Sequence, residues 1–408
     1  MNNKKKWISF TLVLVLLTNI LTFYVTDRFS FAFAGGKVSV NESKNGNLDK
    51  YDKIFTVRNR LYKYYDGKID DDVLVEGAIK GMTAALKDPY TVYMNKKEYT
   101  DFNTQTVGAY TGLGIQVGVK DNKIVVIAPF DNSPAMKAGI LSGDIIQKIN
   151  SKEYGGNELE NAVSVMKVAE GTEITLSLSR PVKGNFDVKL KTAKINLVTV
   201  KGEMLKDKIG YIQITMFDES TSENFEKKLK ELQAANMKGL ILDLRGNPGG
   251  LLDQCVKIAS EFIPKGKVIV STIDKNKVED KYNSIGGNNK AIGLPMVILT
   301  DEGTASASEI VSGAFRDYKI ATLVGKKTFG KGVVQTMLTS KLDGFGDGTA
   351  LKVTISRYYT PNGENIHGTG IKPDVEVAYP EEMKAKPYNR NVDPQFAKAL
   401  EIIMGKVK

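Results

Sequence analysis

Two short stretches hold residue types that could do chemistry together. The first, TDEGTASASEIVSGAFRDY (300–318), offers Ser306 and Ser308 as hydroxyl nucleophiles. It follows PMVILT (295–300), which reads as a buried strand, and it carries Ile310, Val311, Ala314 and Phe315 at helical spacing. The pattern is strand, turn, helix. A helix start exposes unpartnered N–H groups and partial positive charge, so developing negative charge is stabilised there. A serine hydroxyl is a weak nucleophile and needs a base. The chain has one histidine, His367. The other route to a base is a lysine kept neutral by burial. Lys331, in TFGKGVVQ, stands twenty-five residues after Ser306 and between Gly330 and Gly332. Glycines on both sides let the backbone pack closely and turn the side chain inward.

Two glycine-rich turns could receive anions. DLRGNPGG (243–250) ends a buried apolar strand and precedes the helical pattern LLDQCVKIASEFI. Such a turn presents backbone N–H groups to an anion, and in acyl transfer that anion is the oxyanion. The turn lacks GxxxxGK[ST] and is not a P-loop. In GLGIQVGV (112–119), Gly112 and Gly114 let N–H groups converge, and the strand that follows offers an edge. Asp317 is placed either to support the site or as a surface charge. One cysteine and one histidine argue against a zinc site, and Cys255 reads as a core residue.

These pieces need a sizeable scaffold. The 408 residues suffice for about two to four domains. The net charge of +10 comes from lysines interspersed with acids, which reads as a solvated basic surface and not a nucleic-acid site. Residues 7–25 are uncharged and follow Lys4, Lys5 and Lys6. That predicts a membrane-spanning helix with its N-terminus inside and the rest of the chain outside. Cleavage near Ala34, after Ala32 and Phe33, is the alternative, which would release a secreted protein. Residues 35–47 read as a linker. From Leu48 to about Gln105 the pattern is helical, with one stripe of Tyr51, Ile54, Phe55, Val57, Leu61 and Tyr64 and another of Val73, Val75, Ala78, Met82 and Leu86. The Asp88–Pro89–Tyr90 turn ends it and suggests no chemistry of its own. The segment 391–407 reads as a terminal amphipathic helix that docks on the core or on a second copy.

Taken together, GTASASEIVSGAFRDY and GKKTFGKGVVQ resemble the active-site segments of the carboxyl-terminal processing peptidases, the tail-specific proteases. The resemblance extends over about residues 46–405. It implies a serine–lysine dyad, with Ser306 as nucleophile, Lys331 as base and Gln335 supporting the lysine. It implies an oxyanion hole from the N–H of Ala307 and that of Gly249 or Gly250. Residues 108–195 resemble a PDZ domain whose Gly112, Leu113, Gly114 and Ile115 would receive a peptide C-terminus. Where relatives often carry an arginine linking peptide binding to activation, this chain has Lys167 followed by Val168.

The implied fold is a multidomain α+β and α/β protein. It comprises the membrane anchor (1–34), a linker and helical segment (35–107), the PDZ domain (108–195), a ClpP/crotonase-like α/β protease core (196–390) and a C-terminal helix (391–408). The implied function is a membrane-anchored, extracytoplasmic serine endopeptidase. It needs no cofactor or metal, acts on protein and peptide substrates bound by their C-termini, and is compatible with a homodimer. Two rivals stand beside it: a non-catalytic PDZ scaffold, and a serine hydrolase using His367 as base.

Overall fold

The computed structural model describes residues 48–130, 132–180, 183–287, 291–384 and 388–407. The expected spanning segment 7–25, the cleavage site near Ala34 and the linker 35–47 lie outside the described residues. Among the described residues no helix is long and apolar enough to cross a membrane.

The chain divides into two compact units, one ending at Val75 and one beginning at Glu76. In the first, helix α1 (Asp52–Tyr64) follows a single 3-10 turn and is tied by Arg58 to Asp71, at the start of α2 (Asp71–Ala84). Both stripes read from the sequence form helix, yet neither α1 nor α2 buries a side chain. Periodicity states which residues share a face; it does not state what covers that face.

The second unit begins its sheet work with β1 (Val92–Met94), followed by α3 (Lys96–Val107), whose capping box joins Asn95 and Glu98. The PDZ-like segment is entered through β2 (Ala109–Gly112) and left through β9 (Ala193–Asn196), which pair with each other. Between them lie β3 (Ile115–Lys120), β4 (Lys123–Pro129), the single turn α4 (Pro134–Lys137), β5 (Ile145–Ile149), β6 (Lys152–Glu153), α5 (Leu159–Met166), β7 (Glu173–Arg180) and β8 (Gly184–Lys191). Alternation on these strands buries Ile124, Val126, Ile146, Ile149, Leu176 and Leu178 in a core of their own. The sheet order β3-β4-β5-β7-β8 leaves β3 at an edge.

The remaining chain builds an α/β core. Its sheet runs β10 (Val200–Met204), β11 (Ile209–Ile214), β12 (Gly239–Asp243), β15 (Met296–Thr300), β16 (Ala321–Gly325) and β19 (Val375–Glu376). All neighbours are parallel except β10 with β11. Parallel strands are covered on both faces, and these are. Leu240, Leu242, Met296 and Ile298 face α6 (Thr221–Ala234), α7 (Leu252–Ser260) and α8 (Ala307–Asp317), where Phe225, Phe262 and Phe315 pack edge to face. Ile241, Val297 and Leu299 face Phe396, Ala399 and Ile403 of the terminal helix α10 (Pro394–Lys406), which therefore docks on its own core. A short α9 (Glu381–Lys384) precedes it.

A second sheet is antiparallel, in the order β1-β18-β13-β14, with β17 also on β18. Its strands are β13 (Val268–Asp274), β14 (Glu279–Asn283), β17 (Val333–Leu338) and β18 (Ala350–Tyr359). The two sheets meet where chemistry is expected. The turns after β12 and β15 leave the carboxyl ends of parallel strands, and β17 starts two residues after Lys331.

Candidate active site

β15 delivers the turn that holds Ser306. Asp301 Oδ1 accepts from Gly246 N (2.8 Å) and Gly303 N (2.9 Å), joining this turn to the one after β12. Thr304 Oγ1 donates to Leu244 O at 2.9 Å, and Ser308 Oγ donates to Asn247 O at 3.1 Å. Both of those hydroxyls are buried and committed to structure. The Ser306 side chain makes no capping hydrogen bond to its helix. Ser306 sits at φ 54°, ψ −115°, a conformation that costs free energy in a residue with a Cβ. Of the sequence's two candidates, Ser306 is the hydroxyl left available.

What holds that strained residue is Glu309. Its carboxylate is fully buried. Oε2 accepts from the backbone N of Ser306 (2.9 Å) and of Lys331 (2.8 Å). Oε1 accepts from Gly330 N (2.8 Å) and Thr328 Oγ1 (2.5 Å). Burial pushes the Glu309 carboxyl up, and these four hydrogen bonds pull the other way. One carboxylate oxygen thus ties the Ser306 backbone to the Lys331 backbone. The sequence reading missed this residue, though its signal was there: Ser-x-x-Glu at a helix start is a capping-box spacing.

Lys331 is half-buried, and burial is the first cause that lowers its pKa, followed by the Lys352 ammonium; Glu309 and Asp88 oppose them. The flanking glycines are needed because the 366–370 turn packs onto them. A Cβ on Gly332 would stand 2.6 Å from His367 N. Lys331 Nζ lies 4.9 Å from the centre of the Tyr90 ring. Tyr90 belongs to the Asp88–Pro89–Tyr90 turn that suggested no chemistry of its own, and the fold sets its ring beside the lysine. Nothing in the local pattern could signal it, because the contact depends on β1 pairing with β18. Among the described residues no hydrogen bond joins Lys331 Nζ to Ser306 or to Gln335. Gln335, on β17, keeps a buried Nε2 without a partner.

The glycine turn after β12 abuts the serine. A Cβ on Gly249, at φ 100°, would come within 2.7 Å of Ala305 O and Ser306 Cβ and 2.9 Å of Ala307 N. Gly249 N–H is taken by Asn247 Oδ1 at 2.9 Å. Among the described residues the N–H groups of Gly250 and Ala307 carry no hydrogen bond. Of the two glycines the sequence left open, Gly250 is the one with a free donor.

The other candidates fall away from this cluster. His367 is exposed, its ring meets Tyr90 edge-on with centroids 6.2 Å apart, and among the described residues it makes no hydrogen bond to Ser306. Asp317 has a buried carboxylate at the far end of α8, where it accepts from Arg316 Nη2 (2.8 Å) and Asn362 N (3.0 Å). Cys255 is fully buried and its thiol pKa is pushed far up by burial, as a core residue requires. Among the described residues no group of three or more His, Cys, Asp or Glu could hold a metal.

In the PDZ-like segment, Gly112, Leu113, Gly114 and Ile115 form the turn from β2 to the edge strand β3. The N–H groups of Leu113 and Gly114 carry no hydrogen bond among the described residues. The cleft between β3 and α5 is lined by Tyr110, Leu113, Ile115, Val163, Met166 and Lys167, and encloses ≈ 30 Å³. That is room for about one water. Lys167 Nζ stands 5.1 Å from the Tyr110 ring centre at the mouth of the cleft.

Comparison with known proteins converges on the same picture. Residues 208–377 match the family described as Peptidase family S41. Residues 111–197 match the PDZ domain, and 24–98 the N-terminal domain of the activating protease CtpB. The chain is 36% identical over 384 residues to the carboxy-terminal processing protease CtpA of Bacillus subtilis (strain 168), covering 94% of this chain and 79% of the relative. It is 38% identical over 377 residues to a probable CtpA-like serine protease of Staphylococcus aureus (strain COL), covering 92% and 73%. Among solved structures, a putative S41 protease from Bacteroides fragilis shares the fold at TM-score 0.51 and 18% identity, over 84% of this chain and 93% of that one.

Proposed function

The chain belongs to the carboxy-terminal processing proteases of peptidase family S41, and from that premise we propose that it cleaves peptide bonds with a dyad of Ser306 and Lys331. The observation that carries this reading is the Glu309 carboxylate, which holds the amides of both residues on one oxygen. Neutral Lys331 takes the proton from Ser306 Oγ as that oxygen attacks the scissile carbonyl. The lysine then returns the proton to the leaving amine, and water releases the acyl group from Ser306 by the same relay. The oxyanion is held by the N–H groups of Ala307 and Gly250. Gln335 holds the lysine head when it turns toward the serine, its Oε1 accepting from the Nζ–H groups and leaving the lone pair free for the proton. A buried, desolvated lysine suits this role because its neutral form is populated closer to neutral pH.

In this proposal the PDZ domain presents substrates by their C-termini, with the carboxylate on the Leu113 and Gly114 amides and the peptide added to the edge of β3. The charge-free segment 7–25 behind three lysines supports a chain anchored in the membrane with its peptidase on the outer side.

The test uses protein lacking residues 1–34, an unfolded casein substrate, and the Ser306→Ala, Lys331→Ala and His367→Ala variants. The dyad predicts that the first two are inactive while folded and that the third retains activity. An inactive His367→Ala that melts like the parent overturns the assignment of the base. A parent that stays inert with C-terminal peptide present supports the scaffold reading instead.

A further inference from the structure

The ring of Tyr90 lies against the Lys331 head, and hydrogen bonds hold its turn in place. Tyr90 N donates to Asp88 Oδ1 at 3.0 Å, and Thr91 Oγ1 donates to Asp88 Oδ2 at 2.6 Å. Thr91 Oγ1 in turn accepts from Thr354 N at 3.1 Å, and Val92 opposite Lys352 begins the β1–β18 ladder. The turn is thus pinned to the strand that also pairs with β17 and Gln335. Lys331 Nζ faces the ring at 4.9 Å. An ammonium is attracted to the face of an aromatic ring more strongly than a neutral amine, whose N–H···π contact is weak. The ring is therefore one interaction that favours the protonated form against the burial that lowers the lysine's pKa, and Lys331 Nζ has no hydrogen bond to Ser306 or Gln335 among the described residues.

We propose that Tyr90 is a positioning residue for the peptidase reaction: its ring face is a parking place for the Lys331 ammonium, and the base becomes competent when the lysine leaves it for Ser306 and Gln335. The inference rests on the reading of Lys331 as base. It makes the N-terminal segment part of the catalytic machinery's control, because the ring arrives on the turn before β1. Around the lysine and the ring the titratable groups are Glu309 beneath the lysine backbone, Asp88 on the same turn as the ring, Lys352 on β18, and His367, whose imidazole meets the Tyr90 ring edge-on. Asp88 and Glu309 hold the proton on, as the ring does; Lys352 and burial take it off. The ring is the one partner whose attraction can be changed without altering charge.

The experiment exploits that. Initial rates on unfolded casein at low substrate are measured against pH for the parent, Tyr90→Phe, Tyr90→Leu and a protein with pentafluorophenylalanine at position 90. Fluorination keeps the ring's shape while removing its attraction for a cation. The acid limb of the profile should move to lower pH, by about half to one unit, in the Leu and pentafluoro proteins and stay in place in Tyr90→Phe. At a pH on that limb, the rate should rise by about three- to tenfold. A limb that stays put in the pentafluoro protein, or one that moves equally in Tyr90→Phe, overturns the proposal. If Tyr90→Leu is unstable by thermal melting, the isosteric pentafluoro protein alone decides. Lys331→Ala run alongside separates the two claims: if it remains active, the dyad fails and this inference with it. If it is inactive while the pentafluoro limb is unmoved, the dyad stands and Tyr90 is only a packing residue.

Discussion

Two lysines in this protein lie over tyrosine rings, Lys331 over Tyr90 at 4.9 Å and Lys167 over Tyr110 at 5.1 Å. The contacts are nearly the same; the surroundings are not. Lys167 ends α5 at the surface, beside a cleft of ≈ 30 Å³. Lys331 is half-buried between glycines, its backbone held by a buried carboxylate and a second lysine nearby. At the surface, water stabilises the ammonium and the ring adds about 0.5–1 kcal/mol. In the interior the charged form loses that hydration, and the proton becomes transferable. The difference teaches that residue type and ring partner are the same for both lysines, and that desolvation is what lowers the proton affinity of Lys331 and suits it to the base role proposed above.

Exchanging each lysine breaks the comparison most sharply. Lys331→Ala should lower kcat by about a hundred- to ten-thousand-fold, while Lys167→Ala should leave kcat for a short peptide within about threefold. Both are read by steady-state assays with melting curves as controls. Arginine sharpens the contrast further. Lys331→Arg keeps charge and stacking but cannot release a proton, so it should be inactive at every pH, whereas Lys167→Arg should bind peptide as the parent does.

Next in size is Glu309→Gln, which places an amide donor against backbone donors. Each group left unpaired costs about 1–3 kcal/mol. We expect a kcat lower by tenfold or more and a lower Tm, and a parent-like variant would show that the two backbones align without the carboxylate. Gly249→Ala is expected to act through the serine alone. The added methyl meets Ala305 O and Ser306 Cβ at a positive φ, so kcat should fall more than peptide affinity for the PDZ domain, measured by fluorescence anisotropy. The smallest effect is the pH dependence of the parent. Burial lowers the Lys331 pKa, and the active form is the neutral one, so the rate should rise with pH through that pKa and fall about tenfold per unit below it. A flat profile in that range would place the base elsewhere.

Much of the site was legible before folding. Small residues at a helix start after PMVILT marked Ser306 and Ser308 as candidates, and one histidine in the chain directed the search for a candidate base to lysine. Glycines on both sides of Lys331 marked a backbone that something packs against, and that something is the 366–370 turn. The glycine turn of 243–250 was legible as an anion cradle, but the choice between Gly249 and Gly250 required knowing that Asn247 occupies the first. Glu309 was half-legible, since its spacing from Ser306 is local while its bonds to Gly330 and Lys331 are not. The apolar stripes of α1 and α2 gave the helices but not what covers them, and no side chain there is buried.

By itself, the sequence determined the elements and the reagents. Periods of two and of three to four residues follow from backbone geometry, and hydroxyl, ammonium and glycine carry their chemistry with them. Tertiary structure alone decided which reagents meet and in which state. Tyr90 reaches Lys331 across 241 positions of chain because β1 closes the sheet at β18. The lysine's proton affinity is set by how much water the fold removes from around it, a quantity that no local run of residues contains.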